Sequence, residues 1–78
     1  MDFTISGRQV ELNRRQVEAA VAQLEPGPAR KHVVEVGGRV FPVKQVFGEA
    51  TGLDVLDFTT NQARHALLKL GFSVERLT

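Results

Sequence analysis

The chain has 78 residues, enough for one small domain, and it has no cysteine, which excludes disulfides and thiolate metal sites. Hydrophobic residues make up 42% and charged residues 24%, so the chain is globular and not disordered, while a net charge of only +1 means that nucleic acid would need a local basic patch. No apolar run approaches the ~20 residues of a membrane span and no basic leader precedes the chain, so we expect a cytoplasmic protein without a membrane partner.

Residues 1–12 are predicted to form a hairpin. A turn at residues 6–7 would place Phe3 opposite Val10 and would set Phe3 and Ile5 on one apolar face. Because isolated hairpins are marginally stable, a loosely ordered arm is the alternative.

The first helix is predicted from a capping residue, Asn13, to the break at residues 25–28. Gln16 follows Asn13 at the spacing of a capping box. Its apolar residues recur at helical spacing and form one buried stripe: Val17, Ala20, Val21 and Leu24. Two prolines, Pro26 and Pro28, end the helix because proline cannot continue it.

Residues 32–41 are predicted to form a second hairpin around Gly37 and Gly38, since a type I′ turn needs positive φ at both central positions. Pro42 cannot extend a central strand, but it suits the first turn of a helix. We expect a short second helix from there to Gly52, with a buried stripe of Val43, Val46, Phe47 and Ala50.

The third helix, Thr59–Leu70, carries the most complete local signals. Thr59 and Gln62 have capping-box spacing, and Gly71 suits the left-handed conformation that ends a helix. Residues 72–77 alternate between apolar and polar and suit a strand at a sheet edge. The predicted order is β-β-α-β-β-α-α-β, an α+β domain in which two β-hairpins and a C-terminal strand pack with three short helices.

No catalytic or metal-binding constellation is expected. His32 and His65 are the only imidazoles, and two predicted helices separate them. Asp54 and Asp57 are three residues apart in a linker, but the other ligands of a calcium loop are missing and both suit turn positions. We therefore expect no enzyme, no catalytic residue, no metal, no cofactor and no small-molecule substrate.

Two groups of side chains are candidate nucleic-acid contacts. The first is basic and lies around the second predicted hairpin: Arg30, Lys31, His32, Arg39 and Lys44. Arg39 would lie at the glycine tip of this hairpin and the other four near its open end, where they could meet phosphate oxygens. The alternative for this group is a solvated rim that is balanced by Glu35 and Glu49.

The second group is the predicted exposed face of the third helix: Asn61, Arg64, His65 and Leu68. Amide, guanidinium and imidazole groups are those that bind base edges and phosphates. Leu68 is apolar among them, so we expect it either to contact a partner or to be covered by the N-terminal hairpin.

Four short patterns lie between residues 32 and 74, and they occupy residues 38–44 (Gly-Arg-Val-Phe-Pro-Val-Lys), 50–52 (Ala-Thr-Gly), 58–59 (Phe-Thr) and 67–74 (Leu-x-x-Leu-Gly-Phe-x-Val). In these patterns the chain resembles the small N-terminal domain of McrA-type, modification-dependent HNH restriction endonucleases of actinobacteria. Val40 departs from that family, because it separates Arg39 from the aromatic residue. The 78 residues also hold no HNH nuclease, SRA-like or sulfur-recognition domain.

The resemblance implies a bacterial, DNA-associated accessory module, because catalysis and modified-base recognition in such enzymes belong to the other domains. Together with the basic residues, it predicts a non-catalytic module that contacts duplex DNA through a local basic patch. The alternative is a protein-interaction or homodimerisation domain, in which Leu68 and an edge strand contact a second copy or another protein.

Overall fold

The computed structural model describes residues 1–28 and 31–77, in which two antiparallel sheets pack with three helices. The elements in chain order are β1 (Asp2–Ile5), β2 (Arg8–Glu11), α1 (Arg14–Val21), β3 (His32–Val36), β4 (Arg39–Pro42), α2 (Val43–Thr51), a 3₁₀ turn (Val55–Asp57), α3 (Thr60–Lys69) and β5 (Ser73–Arg76). Apart from the added 3₁₀ turn, this is the predicted order, and the α+β class is confirmed. None of the helices in the described part of the chain is long and apolar enough to cross a membrane.

The N-terminal segment is a hairpin and not a loose arm. β1 and β2 pair in the predicted register, with Phe3 opposite Val10. Phe3 and Ile5 are buried in the core, which explains why a two-stranded sheet is stable here. At the turn, the Ser6 hydroxyl donates to the Asp57 carbonyl at 3.0 Å, so the hairpin is joined to the 3₁₀ turn.

The central sheet has the strand order β4-β3-β5, and β5 lies at its edge as predicted. Gly37 and Gly38 have φ angles of 60° and 81°, the positive values that a type I′ turn requires. This turn sets the register that places Val34 opposite Phe41, and both side chains are fully buried against the helices. The other face of the sheet is open, because Val40 is 52% exposed there.

The starts of α1 and α3 were predicted correctly because capping depends on local spacing, whereas Pro42 ends β4 and is the N-cap of α2 instead of lying in its first turn. The Asn13 side chain accepts from the backbone N–H of Gln16 at 2.8 Å, and the Gln16 side chain accepts from the Asn13 N–H at 2.8 Å. Thr59 and Gln62 form the same reciprocal pair at 3.1 and 2.9 Å. Each box satisfies two backbone donors that would otherwise lack a partner at a helix start.

α1 ends at Val21, three residues before the predicted position of Leu24. Glu25 directly precedes Pro26, and a residue before proline disfavours the helical conformation. The helix ends before it reaches this segment. The backbone carbonyls of the segment that follows α1 accept hydrogen bonds from side chains instead. Arg39 Nη2 donates to the Leu24 carbonyl at 3.2 Å, and Gln45 Nε2 donates to the Glu25 carbonyl at 2.9 Å.

One hydrophobic core joins both sheets and all three helices. Its buried members are Phe3, Ile5, Leu12, Val17, Val21, Val34, Val36, Phe41, Val43, Val46, Phe47, Phe58, Ala63, Ala66, Leu67, Leu70 and Phe72. Ala20, Leu24 and Ala50 of the predicted helical stripes are only partly buried, and the other predicted stripe residues belong to this core. At its centre, the rings of Phe47 and Phe58 meet edge to face at 4.9 Å.

The turn from α3 into β5 is clamped by α1. Gly71 has a φ of 91°, as predicted for the residue that ends this helix. Arg14 Nη1 donates to the Leu70 carbonyl at 2.9 Å, and its guanidinium lies 4.3 Å from the centroid of the Phe72 ring. A Cβ on Gly71 would come within 2.9 Å of that same nitrogen. The position therefore favours glycine for its backbone conformation, and a Cβ there would also displace the Arg14 guanidinium.

Gly71→Ala is expected to destabilise the fold more than Gly52→Ala. Both glycines have positive φ, which costs alanine about 1–2 kcal/mol, but a Cβ on Gly52 has no heavy atom within 4 Å. Gly71→Ala also displaces the Arg14 guanidinium, which we expect to add roughly 1 kcal/mol through its lost hydrogen bond. Urea unfolding of the two variants measures this difference. Equal losses of unfolding free energy would show that the Arg14 contact contributes nothing.

Candidate nucleic-acid interface

A groove of about 660 Å³ opens between the open end of the β3–β4 hairpin and the start of α3. The described residues that line it are Pro28, Lys31, His32, Pro42, Val43, Lys44, Thr59, Thr60 and Asn61. Three of these are basic and none is acidic. We call this feature the basic groove.

The hairpin register brings two of the predicted basic segments to the same place. Val33 pairs with Pro42, so the residues just before β3 and just after β4 lie at one end of the sheet. Pro42 has a φ of −60° and an extended ψ, and it turns the chain from β4 directly into α2. As a result Lys31 and Lys44, which are thirteen positions apart in the sequence, both line the basic groove.

Further cations surround His32. Strand pairing places His32 opposite Arg76 of β5, and the positive charge of Arg64 on α3 repels the protonated form of the same imidazole. The pKa of His32 is lowered from its ordinary value of 6.5, first by desolvation of the ring and then by Arg64, Arg76 and Lys31. The His32 Nδ1 atom is buried without a hydrogen-bond partner in the described part of the chain. Arg64, Arg76 and Lys31 thus place positive charge around this imidazole, which itself lines the groove.

The exposed side of α3 continues the basic groove. Its predicted residues, together with Gln62, line a shallower depression of about 430 Å³: Asn61, Gln62, Arg64, His65 and Leu68. We call this surface the α3 face. Asn61 lines both features, and its Oδ1 accepts from Arg64 Nη1 at 3.0 Å. Lys31, His32 and Lys44 of the first predicted group therefore lie on one continuous surface with the second group. Leu68 is 45% exposed, so the N-terminal hairpin does not cover it.

Arg39 is not part of the basic groove. It lies beside the glycine turn as predicted, where its guanidinium donates to the Leu24 carbonyl and lies 5.1 Å from the centroid of the Phe41 ring. These contacts join the hairpin tip to the end of α1, which gives Arg39 a structural role. Arg30, the other arginine of the predicted basic group, lies outside the described residues.

The carboxylates that would balance the basic group lie elsewhere. Glu35 lines a small depression of about 120 Å³ on the open sheet face, together with Glu75, and Glu49 is exposed on α2. None of the three lines the basic groove. Asp54 has the turn role that its sequence position suggested, because its Oδ1 accepts from the Leu56 N–H at 2.9 Å.

Several groove residues were missed from the sequence: Pro28, Pro42, Val43, Thr59 and Thr60. Arg76, which pairs with His32 beside the groove, was missed as well. The sequence assigns Pro42 and Thr59 to helix starts, and that assignment gives no indication that both residues also line a groove. Arg76 follows Val74 by two residues in an edge strand, so strand alternation would have placed it on the helix side of the sheet. The approach of α3 to the hairpin depends on tertiary packing and had no local signal.

The comparisons with known proteins give one match. A family model described as SCO5918-like matches residues 1–78. No curated protein and no solved structure is similar enough to the chain to count as a match.

Proposed function

We propose that this chain, which belongs to the SCO5918-like family, is a non-catalytic module that binds DNA and holds the sugar-phosphate backbone in the basic groove. One observation carries the proposal. Lys31, His32 and Lys44 converge on a groove whose described lining has no carboxylate, and Arg64 and Arg76 add positive charge beside it. Clustered cations of this kind neutralise phosphates and release their counterions, which drives binding to nucleic acid.

The α3 face supports the same proposal, since it would lie beside a strand held in the groove. Phosphate contacts position a protein on DNA, and side chains next to them reach the base edges. Arg64 Nη1 donates to Asn61 Oδ1, and the Asn61 NH₂ group remains a donor for a ligand. Guanidinium and amide donors suit the acceptor-rich edges of bases and the oxygens of phosphate.

Mixed-sequence duplex DNA is expected to bind weakly and with a clear salt dependence. With Lys31 and Lys44 in the groove and one or two of the neighbouring arginines on phosphates, the logarithm of the binding constant should fall against that of the salt concentration with a slope of about −3. Fluorescence anisotropy between about 50 and 200 mM salt measures this slope. If neither duplex nor single-stranded DNA binds at the lowest salt, or if salt does not weaken the binding, the proposal is overturned.

The protonation of His32 is expected to be coupled to DNA binding. A phosphate in the groove offsets the repulsion from the three cations and so raises the pKa of His32 from its lowered value. DNA affinity should therefore increase as the pH falls below 6.5. Without DNA the unfolded chain binds more protons than the native state, so the stability that a neutral His32 contributes is complete above pH 6.5 and is lost below it.

NMR titration of the imidazole protons measures both effects, and His32→Gln identifies the His32 resonance. The pKa of His32 should lie below 6.5 in the free protein and should rise when DNA is added. A pKa that DNA leaves unchanged or lowers would contradict the placement of phosphates beside this ring.

The resemblance of residues 32–74 to the N-terminal domain of McrA-type endonucleases also favours DNA as the partner. With it, we propose an actinobacterial protein that acts in the cytoplasm, where chromosomal DNA is found. Neither point depends on the geometry of the groove.

A homodimer is the second candidate function, and the exposure of Leu68 favours it. Leu68 is 45% exposed on the α3 face, and among the described strands β5 lies at an edge of the central sheet and pairs only with β3. A dimer through this face would cover Asn61 and His65 and would compete with DNA. Light scattering at high protein concentration distinguishes the two functions, since a monomer counts against the dimer.

A further inference from the structure

We infer that the basic groove accepts an unpaired nucleotide, so that the module binds single-stranded DNA more tightly than duplex DNA. This inference rests on the proposed DNA-binding function and specifies the form of DNA that suits the groove. It is carried by the volume of the groove and by the mixed chemistry of its lining.

The volume is larger than phosphate contacts require. At about 660 Å³, the basic groove falls among the roughly 300–1,000 Å³ pockets that enclose small organic ligands. A duplex presents a convex backbone to a protein, so its phosphates would reach only the rim of such a groove. A nucleotide whose base is unpaired can place both its base and its sugar inside.

The lining combines three kinds of group that a single nucleotide needs. Lys31 and Lys44 supply cations for the phosphate. An apolar part, formed by Pro28 and Pro42, offers a surface for the face of a base. In a duplex this base face is already stacked, whereas in a single strand it is free to be covered by protein.

The polar side chains at the start of α3 complete the set. Thr60 and Asn61 line the groove with a hydroxyl and an amide, which can pair with the edge of a base. The imidazole of His32, also in the lining, adds a planar ring on which a base can stack. Phosphate binding alone requires cations, so the apolar and hydrogen-bonding groups of the lining favour a ligand that also has a base.

Three DNA probes of equal length separate base from phosphate. A mixed-sequence single strand, an abasic strand with the same number of phosphates, and a duplex are compared by fluorescence anisotropy in about 50 mM salt. We expect the single strand to bind roughly tenfold or more tightly than the abasic strand, since each stacked base contributes substantially to such complexes. The duplex should bind more weakly than the single strand.

The outcomes distinguish this inference from the function on which it rests. If the abasic strand binds as tightly as the normal strand, or if the duplex binds most tightly, the inference is overturned while the DNA-binding function stands. If none of the three probes binds, the DNA-binding function itself fails.

A groove-filling variant provides an independent test. Thr60→Leu adds apolar volume inside the groove without changing its charge or adding a ring on which a base could stack, and Thr4→Leu makes the same change at an exposed position on β1. Thr60→Leu should reduce the preference for the normal strand over the abasic strand, and Thr4→Leu should preserve it. An unchanged preference in folded Thr60→Leu would overturn the inference. The comparison of probes with the unmodified chain does not depend on whether this variant folds.

Discussion

Reversing the charges of Lys31 and Lys44 together is expected to weaken DNA binding on the order of 100-fold at about 50 mM salt. Each lysine that neutralises a phosphate contributes counterion release, and a glutamate in its place also repels the strand. Because two phosphate contacts are lost, the salt slope should become shallower by about two. Anisotropy titrations of the double variant Lys31→Glu, Lys44→Glu measure both quantities.

A matched control variant distinguishes the effect of the groove lysines on affinity from the effect of the net charge. Arg15→Glu with Lys69→Glu lowers the net charge by the same four units, from +1 to −3, at exposed positions outside the groove. We expect this control to lose far less affinity than the groove variant. Equal losses in the two double variants would show that the overall field, and not the groove, binds DNA.

Folding of the groove variant needs a separate check. The Lys44 ammonium lies 5.3 Å from the centroid of the Phe58 ring, so its replacement removes a cation–π contact as well as a charge. The side chain of Lys31 is exposed, and its replacement is expected to cost little stability. The single variant Lys31→Glu should therefore show the loss of affinity in a fully folded chain, at roughly the square root of the double variant's effect.

Local structure could be predicted because its causes are local. The Asn13 and Thr59 capping boxes depend on residues three positions apart, and the turn at residues 37–38 depends on two adjacent glycines. Strand alternation then fixed which residues of each hairpin face the core. The end of α1 was placed too late, at Leu24, because apolar spacing continued past the point where the proline segment draws the chain away.

The site was only partly predictable, because it is assembled from distant segments. The hairpin register brings Lys31 and Lys44 together, and that register followed from the glycine turn. Nothing local indicates that α3 starts beside the open end of this hairpin, so Asn61 was assigned to a separate surface. Arg39 shows the opposite effect. The sequence predicts that its guanidinium contacts phosphate, and the structure places it outside the basic groove, where it donates to the Leu24 carbonyl.

Phe47→Ala is expected to cause the largest loss of stability of any variant proposed for this chain, about 3–5 kcal/mol. Phe47 is fully buried, and its ring meets the Phe58 ring edge to face, so truncation leaves a cavity and removes an aromatic pair. A domain of this size has roughly 4–12 kcal/mol of stability in total, so the variant approaches the limit of folding. Calorimetry should show the melting temperature lowered on the order of 20 °C.

Phe47→Leu is the control, since it retains most of the volume and is expected to cost about 1.5 kcal/mol. A loss of that small size in Phe47→Ala would contradict the close packing of the pair.

The two variants also test whether core packing affects DNA binding. Phe58 contacts Phe47 on one side, receives the Lys44 ammonium, and directly precedes the capping residue Thr59. Loss of the Phe47 ring should therefore loosen the start of α3 against α2, and folded Phe47→Leu should bind DNA more weakly although no groove residue has changed.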